Sequence, residues 1–199
     1  MIILDHEQGT DEWLAARLGK PSASGFGKLI TATGKPSTSA VGYINQLIAE
    51  RFVGKSEPFY VNDHMARGTE LEPEAREAYE FITGKEVVEF GFILDDSKEF
   101  GCSPDGFVGT DGGLEIKCPA ATTMVKYLRD PQTLVKAYYQ QIQGCLWITD
   151  SQWWDAFAYH PEMPHVLVRV ERDEEFITKL AVEVEAAVIE IKNQVEQLR

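Results

Sequence analysis

The chain has 199 residues, 44% of them hydrophobic and 26% charged, which suits one soluble domain able to bury a sizeable core. Its net charge of −13 speaks against a simple nucleic-acid binder carried by a basic surface. No apolar run approaches the roughly 20 residues that span a membrane, and Met1–Asp5 is short and lacks a basic start, so the expected location is the cytosol. Cys102, Cys118 and Cys145 are odd in number and show no Cys-x-x-Cys spacing, which predicts reduced core residues rather than a zinc site or a disulfide framework. The acidity is uneven: residues 57–115 carry four Lys/Arg against fifteen Asp/Glu, whereas residues 1–56 carry six against five.

Thr10 to Gly19 predicts a short helix with Thr10 as cap, Asp11 and Glu12 at its positive end, Arg17 near its C-terminal end, and Trp13, Leu14 and Leu18 as a buried stripe. Ser22 or Ser24 then caps a second helix running to about Ile30. A hydroxyl-rich helix start beside Arg17 also suits an anion such as a terminal phosphate, although plain capping is the simpler local reading. Thr31–Ser39 is a polar loop, read either as an arm that reaches a nucleic acid through Lys35 or as a plain linker. Val41, Ile44, Leu47 and Ile48 give a helix over 39–52 closed by Gly54. Another helix opens near His64–Pro73 and runs to about Phe81, with Pro73 in its first turn and Glu72 near its positive end.

Val87 to Leu94 reads as one strand with Gly91 as a bulge. Two short strands follow, joined by a turn at Thr110-Asp111-Gly112-Gly113. Asp105 ends the first; Glu115 and Lys117 lie two apart on the second and therefore share a face, with Ile116 turned into the core. Two converging carboxylates suit Mg²⁺, and a nearby lysine suits a developing negative charge. Two helices over 120–130 and 134–147, strands over 153–159 and 165–171, and a long amphipathic helix from Asp173 to Leu198 complete the chain. The order predicts a single α/β domain over 1–199, a mixed sheet flanked by helices.

Pro104-Asp105 followed by Glu115-Ile116-Lys117 is similar to the PD-(D/E)XK nuclease pattern. Further segments carry a closer resemblance: Gln8-Gly9-Thr10-Asp11-Glu12-Trp13, Arg17-Leu18-Gly19 with Ser22-Ala23-Ser24, Gly68-Thr69-Glu70-Leu71-Glu72, Cys102-Ser103-Pro104-Asp105-Gly106, Leu114-Glu115-Ile116-Lys117-Cys118-Pro119, and Tyr139-Gln140-Gln141-Ile142-Gln143 with Trp147. In that order they resemble the lambda exonuclease or YqaJ-type viral recombinase family, a phage branch of the PD-(D/E)XK nucleases. The resemblance implies a restriction-endonuclease-like core and a Mg²⁺-dependent exonuclease, with Mn²⁺ substituting. Such an enzyme degrades one strand of linear duplex DNA 5′→3′ from a 5′-phosphorylated end and leaves a 3′ single strand for annealing.

It further implies that Asp105, Glu115 and the Ile116 carbonyl hold metal and that Lys117 is catalytic. Glu72 supports a second metal, with Glu70 as the rival in that register. Arg17, Ser24, Ser103 and Gln141, with Ser22 as a weaker candidate, surround the 5′-phosphate and active site. Met65 is a candidate wedge against a terminal base pair. Family members form ring-shaped homotrimers around DNA ends, pair with a single-strand annealing protein and work in the bacterial cytosol, away from membranes. An endonuclease on the same fold and a non-catalytic DNA-end-binding module remain the alternatives.

Overall fold

The computed structural model describes residues 1–56 and 63–199, with residues 63–66 described by their backbone alone. The expectations for His64 and Met65 fall on side chains outside the described residues. Strands β1 (Ile2–Leu4), β3 (Phe92–Leu94) and β4 (Gly101–Cys102) form a small antiparallel sheet in the order β1-β3-β4. Strands β2 (Val87–Val88), β5 (Gly106–Val108), β6 (Gly112–Lys117), β7 (Trp153–Ala158) and β8 (Val166–Glu171) form a second sheet in that order. It is antiparallel except for the parallel β6–β7 pair. A parallel pair needs a long crossover, and α4 (Ala121–Arg129) with α5 (Gln132–Thr149) supplies it. The other helices are α1 (Asp11–Arg17), a 3₁₀ turn (Ala23–Lys28), α2 (Ala40–Val53), α3 (Asp63–Thr83) and α6 (Glu174–Gln197). The mixed sheet flanked by helices is as the sequence predicts; the small second sheet is an addition.

Alternation along the central strands separates two apolar layers. Leu114, Ile116 and Phe157 face α3 and pack with Ala75 and Tyr79. Trp154, Ala156 and Ala158 face the other way and join the main core, with Phe26, Leu134, Ile142 and Leu146. Glu115 and Lys117 therefore point to the α5 side of the sheet. Asp155 sits in the α3-side layer, where it accepts two Arg169 hydrogen bonds at 2.9 Å each and one from the Tyr79 hydroxyl at 2.8 Å. Removing this carboxylate strands a buried phenol and unpairs Arg169. Asp155→Ala is therefore expected to lower unfolding free energy by about 2–3 kcal/mol, measured as a shifted urea midpoint at unchanged slope.

Several local expectations are corrected. The expected buried stripe of α1 is not formed: the helix buries no residue, Leu14 is 45% exposed and Trp13 packs under Arg17; in α2 Val41 is 70% exposed and Tyr43 joins Leu47 and Ile48 in the buried face. Leu198, expected in the stripe of α6, is exposed. The expected strand over 87–94 is two strands in two different sheets, because Gly91 lies against the backbone of Leu4 and His6, where a side chain has no room. The hairpin turn sits at 109–111, with Gly109 at φ +68°. Gly112 and Gly113 belong to β6, where a Cβ would strike the indoles of Trp153 and Trp154 across the parallel pair. Helix α3 starts at Asp63, so Pro73 lies inside it and Glu72 is in mid-helix, away from the positive end that the sequence suggests.

Candidate active site

One half of the site is a pocket around Arg17. Thr10 caps α1 by accepting from the Trp13 amide, and the four-residue spacing stacks the Arg17 guanidinium 4.1 Å over the Trp13 ring. The guanidinium donates to Ser103 Oγ and Ser22 Oγ at 3.4 Å and to Ser24 Oγ at 3.5 Å. The Trp13 indole N–H donates to the same Ser103 hydroxyl at 3.1 Å. Among the described residues Arg17 has these hydroxyls as hydrogen-bond partners and no carboxylate. Burial lowers its pKa, with the Glu50 charge only partly offsetting it, so the guanidinium is desolvated with no ion-pair partner in contact among the described residues, an arrangement that can accept an anion. Ser22 occupies the cap position of the 3₁₀ turn, yet its hydroxyl does not cap it; Ser22 and Ser24 lie 3.2 Å apart and turn to Arg17. The plain capping reading is thereby overturned.

The other half brings Asp105 and Glu115 together with the Lys117 ammonium, with Glu72 within electrostatic reach. Asp105, two residues after Ser103, stands immediately before β5 rather than ending that strand as the sequence suggests, and its Oδ2 accepts the Ile116 amide at 2.6 Å, tying the start of β5 to β6. Glu115 is 1% exposed. Its Oε1 accepts from Lys117 Nζ and from Gln141 Nε2 at 2.6 Å, and its Oε2 is buried with no hydrogen-bond partner. Glu72 reaches this cluster from α3, braced by Arg76 at 3.1 Å, which also pairs with Glu89 at 2.8 Å. Gln8 fastens the N-terminal segment over the hairpin by donating to the Pro104 carbonyl at 2.9 Å. A cleft of about 700 Å³ is lined by Gln8 and Trp13 on one side and by Glu72, Arg76 and Glu89 on the other, so it runs between the ring on which Arg17 stacks and the carboxylate that α3 supplies.

The electrostatics follow from burial. Desolvation, reinforced by Asp105, pushes Glu72 up to about 7. Desolvation pushes Glu115 up to about 7 as well, and Lys117 only partly counters it. Asp105 is raised by burial against the pull of Lys117. Burial works against the Lys117 charge, but Glu115 and Asp105 outweigh it and hold the ammonium above the ordinary lysine range. The folded state thus binds carboxyl protons more tightly than the unfolded chain, whose glutamates titrate near 4.5. Their contribution to stability is full below that value and lost as pH rises towards about 7. In EDTA, wild type is expected to lose thermal stability relative to Glu115→Gln between roughly pH 5 and pH 8. A constant difference between the two melting points over that range would contradict it.

Most of the residues singled out in the sequence meet here: Arg17, Ser22, Ser24 and Ser103 in one half, Asp105, Glu115, Lys117, Gln141 and Glu72 in the other. Glu72 rather than Glu70 belongs to the cluster, since its charge couples to Asp105 and Lys117. Lys35 stands exposed on a tight turn closed by Thr31 and has no described contact with the site. Among the described residues no three His, Cys, Asp or Glu side chains are drawn together into a ready metal cage, and Glu115 Oε1 is taken up by Lys117 and Gln141. Sequence reasoning missed Trp13 and Arg76 as site residues. The i, i+4 spacings Trp13–Arg17 and Glu72–Arg76 were the available signal.

The sequence profile of the YqaJ-like viral recombinase domain matches residues 12–152. No curated protein matches the chain. Among solved structures, the alkaline exonuclease LHK-Exo from Laribacter hongkongensis is 36% identical over 95% of this chain and 96% of its own, with a TM-score of 0.83. LHK-Exo in complex with dAMP is 37% identical over the same shares, with a TM-score of 0.84. A phage-related exonuclease from Haemophilus somnus, 17% identical over 90% of this chain and 96% of its own, shares the fold at a TM-score of 0.76. The profile and the LHK-Exo likeness cover nearly the whole site, from Trp13 to Gln141, and the chain belongs to the YqaJ-like viral recombinase family, in the alkaline exonuclease branch of the nucleases.

Proposed function

We propose that the protein is a Mg²⁺-dependent exonuclease that takes linear duplex DNA at a 5′-phosphorylated end and hydrolyses that strand 5′→3′, leaving a 3′ single strand. The carrying observation is the desolvated Arg17, ringed by three serine hydroxyls, one of which, Ser103, lies two residues of chain before Asp105. Two residues span at most about 7 Å. An end whose phosphate sits on Arg17 therefore presents its next phosphodiester to the carboxylates, and each cut releases one nucleotide. That LHK-Exo is seen with dAMP, a mononucleotide, fits this spacing.

The donor set fits a hard divalent cation: a buried Glu115 oxygen lacks a partner, Asp105 adds to the proton affinity that burial gives Glu72 and Glu115, and Glu72 adds to that of Glu115. Asp105, Glu115, the Ile116 carbonyl and Glu72 would hold Mg²⁺, with Mn²⁺ as a substitute. When bound, the cation supplies charge neutralisation at the phosphate and an activated water. Lys117, held charged, offers a positive group where negative charge develops. Gln141 fixes the Glu115 carboxylate and Arg76 that of Glu72, so both are oriented before substrate arrives. Trp13 and Ser103 orient the Arg17 fork. No helix among the described residues is long and apolar enough to cross a membrane. The family resemblance adds a homotrimeric ring around DNA and a single-strand annealing partner; sedimentation of the purified protein tests the first, and co-purification with the annealing protein the second.

The test is digestion with Mg²⁺ of linear duplexes bearing 5′-phosphate or 5′-hydroxyl ends, with a closed circle alongside. Rapid loss of the phosphorylated strand, slow loss of the hydroxyl-ended one and an intact circle are expected. Cleavage of the circle would make the protein an endonuclease. Binding without cleavage of any substrate would make it an end-binding module.

A further inference from the structure

Helix α5 departs from helical geometry at Tyr138, with φ −121° and ψ 16°, so that two helical segments meet there. Such values lie in a sparsely populated region that ordered structure maintains only under constraint. The usual causes of a kink are missing: the neighbours are Ala137 and Tyr139, and Pro131 lies at the cap. What the departure does is aim the ring. Lys117 Nζ stands 4.9 Å from the Tyr138 ring centroid. On its hydroxyl side Tyr138 meets buried Tyr127 of α4, whose phenol is pushed up to about 12 by burial and by this neighbour. Gln141, three residues on and on the same face, holds Glu115. Glu115 and Lys117 share one face of β6, so α5 grips both ends of the pair, the carboxylate with an amide and the ammonium with an aromatic face.

A lysine stem has four rotatable bonds, and an ion pair alone leaves its head free to follow the carboxylate. An aromatic face attracts a cation without competing for it as a hydrogen-bond acceptor, and does so most strongly where water is excluded. We propose that Tyr138 is a positioning residue that holds the Lys117 ammonium on the α5 side of the sheet, at the point where a phosphate is attacked, and that the kink in α5 exists to place its ring. This rests on the nuclease reading above. The role belongs to the ring face; the phenol oxygen only pins the ring against α4.

The experiment compares Tyr138→Phe, which keeps the face, with Tyr138→Leu, which fills space without it, by single-turnover and steady-state digestion of a 5′-phosphorylated duplex. Tyr138→Phe is expected within about twofold of wild type, and Tyr138→Leu to lower kcat about tenfold at unchanged KM and unchanged DNA affinity. Should Tyr138→Leu fail to fold by circular dichroism and thermal melting, Tyr138→Met, which packs adaptably, carries the comparison. Wild-type kcat in the apolar variant, a loss confined to KM, or equal losses in Phe and Leu would each overturn the proposal. Lys117→Ala in the same assay keeps the two levels apart. If wild type does not cleave, the nuclease reading is at fault; if Lys117→Ala still cleaves, the role of Lys117 is, and that of Tyr138 with it; if Lys117→Ala is dead while Tyr138→Leu cleaves normally, only the role of Tyr138 is.

Discussion

Lys117→Ala is expected to lower the rate of strand cleavage by about 10²- to 10³-fold while duplex binding stays nearly unchanged. The ammonium lies on the same strand face as Glu115, in contact with its carboxylate, and the surrounding carboxylates keep it charged. Its part is to oppose negative charge that appears only as the phosphodiester is attacked, so the loss belongs in kcat rather than in KM. Its truncation also leaves Asp105, Glu115 and Glu72 with one positive neighbour fewer. The variant is therefore expected to gain more thermal stability from added Mg²⁺ than wild type does, by linkage. Lys117→Arg is expected to rescue little, since a planar fork does not reproduce a compact point charge. The measurement is single-turnover digestion of a labelled 5′-phosphorylated duplex, with affinity read by filter binding. Retained cleavage would place the chemistry elsewhere in the chain.

The arrangement that makes Lys117 effective was partly legible before any fold was known, because its rule is local. Strand residues two apart share a face whatever surrounds them, so Glu115-Ile116-Lys117 alone implies a carboxylate and an ammonium together over a core residue. Caps are local in the same way: Thr10 and Asp173 begin α1 and α6 by accepting from the amide three residues on, as their side chains predict. A mixed sheet flanked by helices followed from the order of strands and helices; which pair is parallel and the split into two sheets did not.

What was not legible depends on partners distant in sequence. Ser22 and Ser24 read locally as caps, and only the approach of Arg17 from the preceding helix turns their hydroxyls away. Glu72 before Pro73 reads as a helix start, because proline favours the first turn; the helix begins nine residues earlier, and Glu72 is carried to the carboxylates by the packing of Ala75 and Tyr79 on the sheet. The apolar run 87–94 has strand composition throughout, and nothing within it marks the crossing of Gly91 against the N-terminal segment that sends its halves into different sheets. Gly112-Gly113 carries the composition of a turn, whereas two tryptophans forty residues away require small residues in a strand. In each case a tertiary contact overrides a correct local preference. Tyr138 belongs with these: its sequence surroundings are those of an ordinary helix.

Arg17→Ala is expected to remove the preference for 5′-phosphorylated ends. A charge-assisted hydrogen bond contributes about 1.5–3 kcal/mol, so kcat/KM on the phosphorylated duplex should fall about 10- to 150-fold. On the 5′-hydroxyl duplex it should barely change, and the two substrates should become nearly equal. A uniform loss on both would mean that Arg17 supports the fold rather than the phosphate. Stability separates the two meanings independently. A guanidinium desolvated among hydroxyls and the Trp13 and Phe92 rings, with Glu50 only partly offsetting its burial, costs the folded protein free energy that an anion would return. Arg17→Met keeps an apolar stem against Trp13 and drops the charge, so its melting temperature should equal or exceed that of wild type while its phosphate preference is gone. Inorganic phosphate should then stabilise wild type and leave Arg17→Met unmoved, because the anion site, unlike the packing around it, is built on that one charge.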